Sequence, residues 1–156
     1  MNVAMAAIGS ADVRLYDGAY NHGSPTMTLA FWMILIAALL PYAATGFAKF
    51  AGGGAATYDN SAPRAEIDSL PPQRRRAYWA QLNGFEAFPP FAAGVIVAHL
   101  SGAPAVLTNS LAAAFVALRI VYMLLYIHDK PTARSLVWFA GLLCVVALFA
   151  GGALNR

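Results

Sequence analysis

Four apolar segments dominate the chain, and each is long enough to cross a membrane as a helix. They cover Thr28–Phe50, Tyr78–His99, Ala103–Ile127 and Ser135–Leu154. Each has about 20 residues or slightly more, and a helix of that length spans the hydrocarbon core of a bilayer. None shows the solvated stripe of a soluble bundle helix, and no barrel-like alternation is visible. The sequence therefore predicts an all-α integral membrane protein, a bundle of four transmembrane helices.

Charge is scarce in this chain and is concentrated between the apolar segments. Of the 156 residues, 60% are hydrophobic and 11% charged, whereas a soluble domain carries about 25% charged residues. The formal charge of +3 is attributed to the loops at the membrane surface, so no nucleic-acid partner is expected. No metal-ligand spacing and no phosphate-binding glycine loop occur in the sequence, so no metal is expected. The single Cys144 is interpreted as a small buried hydrophobe.

Residues 1–26 form a separate stretch ahead of the first apolar segment: a short apolar run, then a polar part from Asp12 to Pro25. They are predicted to be an N-terminal extension of one membrane domain, residues 27–156. Met27 is a candidate internal start, in which case the extension would not be native. If the extension is native, we expect it to pack on the outer face or to bind a partner.

Basic residues are distributed unevenly among the connections. The first and third connections, with their flanks, carry seven Lys or Arg residues, and the opposite side carries two. The positive-inside rule then places these two connections in the cytoplasm and both termini outside it. The seven are Lys49, Arg64, Arg74, Arg75, Arg76, Lys130 and Arg134, and the two are Arg14 and Arg156.

Two opposite charges lie at the same predicted depth within the apolar segments. Glu86 lies eight residues into the second segment and Arg119 eight residues before the end of the third, about 12 Å deep at 1.5 Å rise per residue. Because an unpaired charge at that depth costs several kcal/mol, we expect Glu86 and Arg119 to form an ion pair. Asn83 and Tyr122 match in depth about one helical turn nearer the cytoplasm.

Helical spacing places these polar side chains on two stripes. Asn83 and Glu86 are three residues apart, and Arg119, Tyr122 and Tyr126 follow a three-then-four spacing, so each set shares one face. With two arginines at the rim, they are predicted to outline a polar cleft that opens to the cytoplasm and can be approached by a hydrophobic chain from the lipid. The residues of this cleft are Arg76, Asn83, Glu86, Arg119, Tyr122, Tyr126 and Arg134.

A purely structural interpretation stands beside this one. The pair of Glu86 and Arg119 would fix only the register of two helices. The tyrosines would be anchors at the membrane interface, Tyr126 above all. The arginine triplet, residues 74–76, would act only as a topology signal in contact with lipid headgroups.

The stretch RRRAYWAQLNGFEAFPPF resembles the signature of the MAPEG superfamily, the membrane-associated proteins in eicosanoid and glutathione metabolism. The family pattern has an Arg, an Asn seven residues later, a Glu three after that, and then Pro and Phe three and five beyond. These are Arg76, Asn83, Glu86, Pro89 and Phe91 in this chain.

Other parts of the chain carry the same resemblance. The spacing of Arg119, Tyr122 and Tyr126 is similar to that of glutathione-using members, and Ala133-Arg134-Ser135 resembles the segment that opens their fourth helix. The loop YDNSAPR is similar to bacterial members. The resemblance covers about residues 27–150.

The resemblance implies a four-helix protomer assembled as a homotrimer in the bacterial inner membrane. It also implies glutathione as a co-substrate, held between protomers near the cytoplasmic side. Arg134 would be the catalytic residue, since a fixed cation stabilises the thiolate of glutathione, and the thiolate is the nucleophile. The residues implied to bind glutathione are Arg76, Asn83, Glu86, Arg119, Tyr122 and Tyr126.

Two positions depart from the family pattern. Trp79 stands where glutathione-conjugating members carry an arginine, and the link before Arg134 is one residue longer than in the eicosanoid-forming enzymes. A one-residue slip rotates a helix by about 100°. Two hypotheses therefore remain: a glutathione-dependent transferase or peroxidase acting on lipophilic electrophiles, or a non-catalytic scaffold or accessory subunit that binds other membrane proteins.

Overall fold

The computed structural model describes residues 27–52 and 67–154, which form an all-helical bundle without strands in those ranges. This confirms the predicted fold class for the described part of the chain. The N-terminal extension, residues 53–66 of the first connection and the terminal Asn155 and Arg156 lie outside it. The helices are α1, Leu29–Phe50; α2, Pro72–Leu100; α3, Ala105–Ile127; and α4, Pro131–Leu154, with a short 3-10 turn at Ile67–Ser69.

Three of the four helices, α1, α3 and α4, are long and apolar enough to cross a membrane. Helix α2 has 29 residues and is the longest, but its first turns contain Gln73 and the arginine triplet, and its middle contains Asn83 and Glu86. The expectation that all four segments are apolar all round is therefore wrong for α2. The chain is an integral membrane protein in which α2 is more polar than the other three helices.

Prolines and caps set the helix boundaries. The Thr28 hydroxyl accepts a hydrogen bond from the Phe31 N–H and caps the start of α1. Helix α2 begins at Pro72, earlier than the predicted Tyr78, because proline fits the first helical turn. For the same reason α4 begins at Pro131 rather than Ser135, which places Arg134 inside the first turn of the helix.

The helices α2 and α3 form the centre of the bundle and each packs against the other three helices, while α1 packs mainly on α2 and α4 mainly on α3. Phe91 and Phe115 stack at the core with ring centroids 4.0 Å apart. Helices α1 and α2 approach closely at Pro41 and Gly84, where a Cβ on the glycine would lie 2.9 Å from the proline Cγ. Small residues thus permit the tight contact between these helices.

One end of the bundle collects the basic side chains, because α1 and α3 end where α2 and α4 begin. Arg74 there donates hydrogen bonds to the backbone carbonyls of Ala48 (2.6 Å) and Lys49 (2.7 Å), which completes the end of α1. At the opposite end, the Asn109 side chain accepts a hydrogen bond from the Ala30 N–H at 2.9 Å. We call the first of these the arginine end, defined by Lys49, Arg74, Arg76 and Arg134.

Candidate functional site

A single asparagine, Asn83, connects the two charged residues that were predicted to pair, Glu86 and Arg119. The Arg119 Nη2 donates to the Asn83 Oδ1 at 2.9 Å, and the Asn83 Nδ2 donates to the Glu86 Oε2 at 3.2 Å. Between Glu86 and Arg119, both within the described residues, there is no direct ion pair. The predicted pair is therefore corrected to a relay through the amide, which can accept and donate at once.

The two charges of this relay differ in exposure. Arg119 is buried, with 9% of its surface exposed, whereas Glu86 is exposed on the surface of the protomer. The buried guanidinium has one hydrogen bond within the bundle, to Asn83, and the carboxylate remains accessible to another molecule.

Two tyrosines extend the relay towards the arginine end. The Arg119 guanidinium lies 4.3 Å from the ring centroid of Tyr122, and the Tyr122 and Tyr126 rings meet edge to face with centroids 5.7 Å apart. The Arg134 guanidinium lies 4.1 Å from the Tyr126 ring centroid. Cations at such distances are attracted to the ring faces. We call the result the polar row: Glu86, Asn83, Arg119, Tyr122, Tyr126 and Arg134.

After the longer link, the Arg134 guanidinium faces the ring of Tyr126. The turn between α3 and α4 that precedes it contains Asp129 with a φ of 57°. Six of the seven residues predicted for the cleft thus lie in one continuous set of contacts.

Arg76 is the predicted residue that lies apart from the polar row. Its Nε donates to the carbonyl oxygen of Ile127 at 3.1 Å, and its Nη1 lies 3.6 Å from the Asp129 Oδ2. These contacts hold the end of α3 and the turn that follows. They leave Arg76 beside the site, in contact with the turn that leads to Arg134.

A cleft of about 170 Å³ lies beside the polar row, between α2, α3 and α4. Its polar wall is formed by Asn83, Glu86 and Arg119, and its other walls are mostly apolar. The α4 side of this cleft was not among the residues predicted from the sequence. The four-residue spacing from Arg134 to Trp138 and Leu142 was the available signal, since it places all three on one face of α4. The apolar lining consists of Ala87, Pro90, Phe115, Trp138, Gly141, Leu142 and Val145.

Trp79, which departs from the family pattern, lies near Tyr126. Its ring centroid is 6.5 Å from that of Tyr126, and the Arg75 guanidinium lies 5.4 Å from the Trp79 ring centroid. The tryptophan is 41% exposed. An aromatic side chain therefore occupies the position at which the resemblance predicts an arginine.

One comparison with known proteins found a match, and it covers the whole bundle. The model of the MAPEG family matches residues 29–154, which includes all four helices and every residue of the polar row. Neither the search of curated proteins nor the search of solved structures found a match. The fold, the polar row and this match lead to one conclusion: the chain belongs to the MAPEG family.

Proposed function

We propose that this protein is a glutathione-dependent transferase or peroxidase that acts on lipophilic electrophiles. The observation that carries the proposal is the continuous polar row, which links an accessible carboxylate at Glu86 to a guanidinium at Arg134 through contacts of 2.9 to 5.7 Å. In this proposal Arg134 stabilises the thiolate and the rest of the row binds the peptide.

The charges of the polar row complement those of glutathione. Glutathione carries one ammonium group, two carboxylates and a thiol. Glu86 provides a partner for the ammonium group, and Arg119 and Arg134 provide partners for anionic groups. The amide of Asn83 and the tyrosine hydroxyls can bond to the peptide groups between them.

The cation at Arg134 gives the site its chemistry. A fixed guanidinium beside the sulfur lowers the pKa of the thiol, so the nucleophilic thiolate forms near neutral pH. The thiolate then attacks an electrophilic carbon, a C–S bond forms, and the leaving group departs with its electron pair. With a hydroperoxide, the thiolate attacks the terminal oxygen and an alcohol leaves. A second glutathione then reduces the sulfenic acid to a disulfide and water.

The second substrate is proposed to arrive from the lipid. The cleft beside the polar row has apolar walls at Trp138 and Leu142, both of which are exposed on α4. A lipophilic molecule can move from the bilayer along this face and reach the polar wall without crossing water.

Assembly and location are part of the proposal. We propose a homotrimer in a bacterial inner membrane, with glutathione bound at the cytoplasmic arginine end. The exposure of Glu86 on the single protomer supports an assembly in which a neighbour covers part of the polar row.

Glutathione binding to the detergent-purified protein tests the proposal. Calorimetry is expected to show saturable binding to the wild type, strong weakening by Arg134→Ala and a smaller loss with Arg134→Lys, which keeps the charge but not the planar group. Lys130→Ala is the matched control, since it removes an exposed cation of the same turn. No binding at millimolar glutathione would reject the proposal.

A specific observation favours the non-catalytic alternative. Arg74 and Arg76 are engaged with helix ends, and Trp79 replaces a cation, so fewer positive charges face a ligand than the resemblance implies. If glutathione does not bind, a scaffold or accessory subunit becomes the better account. Co-purification of a defined membrane protein would support it.

A further inference from the structure

The turn between α3 and α4 determines where the first turn of α4 lies. The Asp129 N–H donates to the Tyr126 carbonyl at 3.2 Å, and the Lys130 N–H donates to the Leu125 carbonyl at 2.9 Å, which closes the end of α3. Asp129 adopts the left-handed conformation that this helix ending requires. The Arg134 N–H donates to the Lys130 carbonyl at 2.9 Å. Hydrogen bonds thus close the end of α3, and the Lys130 that takes part in them also accepts the bond from Arg134 in α4.

Arg76 contacts this turn at two points. Its Nε bonds to the carbonyl of Ile127, the last residue of α3, and its Nη1 pairs with the Asp129 carboxylate. The carbonyl has no partner within its own helix, so its bond to Arg76 satisfies a group that would otherwise need water. The Asp129 side chain is 69% exposed, and an ion pair so exposed adds little alone. The planar guanidinium makes both contacts at once.

The residues that Arg76 holds are the neighbours of the cation–aromatic contact. Ile127 directly follows Tyr126, whose ring lies beneath the Arg134 guanidinium. Asp129 lies in the turn that leads into α4. A shift of one residue in that turn would rotate Arg134 by about 100° around the axis of α4. The Arg134 guanidinium would then leave the Tyr126 ring.

We propose that Arg76 is a positioning residue for Arg134: its two-point contact with the turn at Ile127 and Asp129 keeps the Arg134 guanidinium on the Tyr126 ring. An effect of Arg76 on catalysis rests on the proposed function, whereas its effect on the position of the Arg134 guanidinium does not. Arg76 acts through the turn, without contact to the thiol.

The neighbouring arginine provides a matched control. Arg74 also donates to carbonyl oxygens at a helix end, but that end belongs to α1. Arg74→Gln and Arg76→Gln therefore remove the same charge and the same kind of helix-end bond. Only Arg76→Gln disturbs the turn before Arg134.

The first measurement is the reactivity of Arg134 itself. The full-length purified protein is treated with phenylglyoxal, and modification of the peptide that contains Arg134 is followed by mass spectrometry. We expect modification several-fold faster than wild type in Arg76→Gln and at the wild-type rate in Arg74→Gln. A wild-type rate in Arg76→Gln, or equal acceleration in both variants, would overturn the inference.

A conservative variant tests the two-point contact. Lysine retains the charge of Arg76 but presents a single nitrogen, which cannot reproduce the planar fork. Arg76→Lys is therefore expected to leave Arg134 nearly as reactive as Arg76→Gln does. If Arg76→Lys protected Arg134 from phenylglyoxal as fully as the wild type does, the charge at position 76 alone would suffice to position Arg134. That result would contradict the two-point contact.

The second measurement is the thiolate absorbance of bound glutathione. Arg76→Gln is expected to lower it several-fold at saturating glutathione, and Arg74→Gln to leave it unchanged. If the wild type binds no glutathione, the proposed function fails, and the phenylglyoxal comparison still decides the positioning role. If the wild type binds and Arg76→Gln matches it in both measurements, the positioning role fails and the proposed function stands.

Discussion

At the scale of single residues, Asn83 explains how a charged arginine can lie inside an apolar bundle. Its amide accepts a hydrogen bond from the buried Arg119 and donates one to the exposed Glu86. A carboxylate at this position could not donate a hydrogen bond to Glu86, and an aliphatic side chain could neither donate nor accept one. Asn83 therefore gives the buried Arg119 a hydrogen-bond acceptor while Glu86 stays accessible.

The stability of Asn83 variants tests this role. Asn83→Leu has nearly the same size but leaves the Arg119 guanidinium without its acceptor. It is expected to lower the free energy of unfolding by about 1–3 kcal/mol. Asn83→Asp keeps a hydrogen-bond acceptor for Arg119, so it is expected to lower the free energy of unfolding by less than Asn83→Leu does. Chemical denaturation in detergent, followed by circular dichroism, measures both; equal stability of Asn83→Leu and wild type would contradict the role.

The sequence predicted which residues belong to the polar row better than it predicted their contacts. Depth along the helices correctly grouped Asn83, Glu86, Arg119 and Tyr122, because rise per residue is nearly constant. It could not show that the amide lies between the two charges, since that depends on rotation and on side-chain conformation. The contacts of Arg76 were missed for a similar reason: the carbonyl to which it donates belongs to the end of α3, which is distant in sequence.

At the scale of helices, α1 and α2 pack through a proline and a glycine. A Cβ at Gly84 would lie 2.9 Å from the Pro41 Cγ, a distance that forces the two helices apart. The contact brings α1 against α2, the helix that carries Asn83 and Glu86, so the packing here supports the site.

Two glycine substitutions separate packing from helix propensity. Gly84→Ala is expected to lower the free energy of unfolding by about 1–3 kcal/mol, since it overpacks the contact with Pro41. Gly46→Ala is the control, because a Cβ there meets nothing within 4 Å, and alanine favours a helix by up to about 1 kcal/mol. Thermal unfolding in detergent compares them. A Gly84→Ala protein as stable as Gly46→Ala would contradict the packing.

Helix boundaries show where sequence reasoning succeeded. Apolar composition placed the start of α1 and the end of α3 within a residue of the structure. It placed the starts of α2 and α4 too late, because both begin in polar turns at Pro72 and Pro131. Helix formation there follows from proline in the first turn and not from hydrophobicity.

At the scale of the whole molecule, the arginine end gives the protein its expected orientation. It gathers the ends of α1 and α3 with the starts of α2 and α4, and the positive-inside rule assigns such an end to the cytoplasm. The opposite end presents Ser101 and Gly102 in an uncharged turn.

Labelling of engineered cysteines tests this orientation. In a Cys144→Ser background, Lys130→Cys places a thiol at the arginine end and Ser101→Cys places one at the opposite end; both positions are exposed. In intact cells, an impermeant maleimide is expected to label Ser101→Cys and to leave Lys130→Cys unlabelled until the membrane is opened. The reverse pattern would contradict the orientation.

The central claim is that the polar row holds glutathione with its sulfur beside Arg134. Ultraviolet difference absorbance of the thiolate at neutral pH tests it most directly, with detergent-purified wild type compared with Arg134→Ala and Lys130→Ala. We predict a saturable thiolate signal in the wild type and in Lys130→Ala, and none in Arg134→Ala. An equal signal in Arg134→Ala, or no signal in the wild type at millimolar glutathione, would contradict the claim.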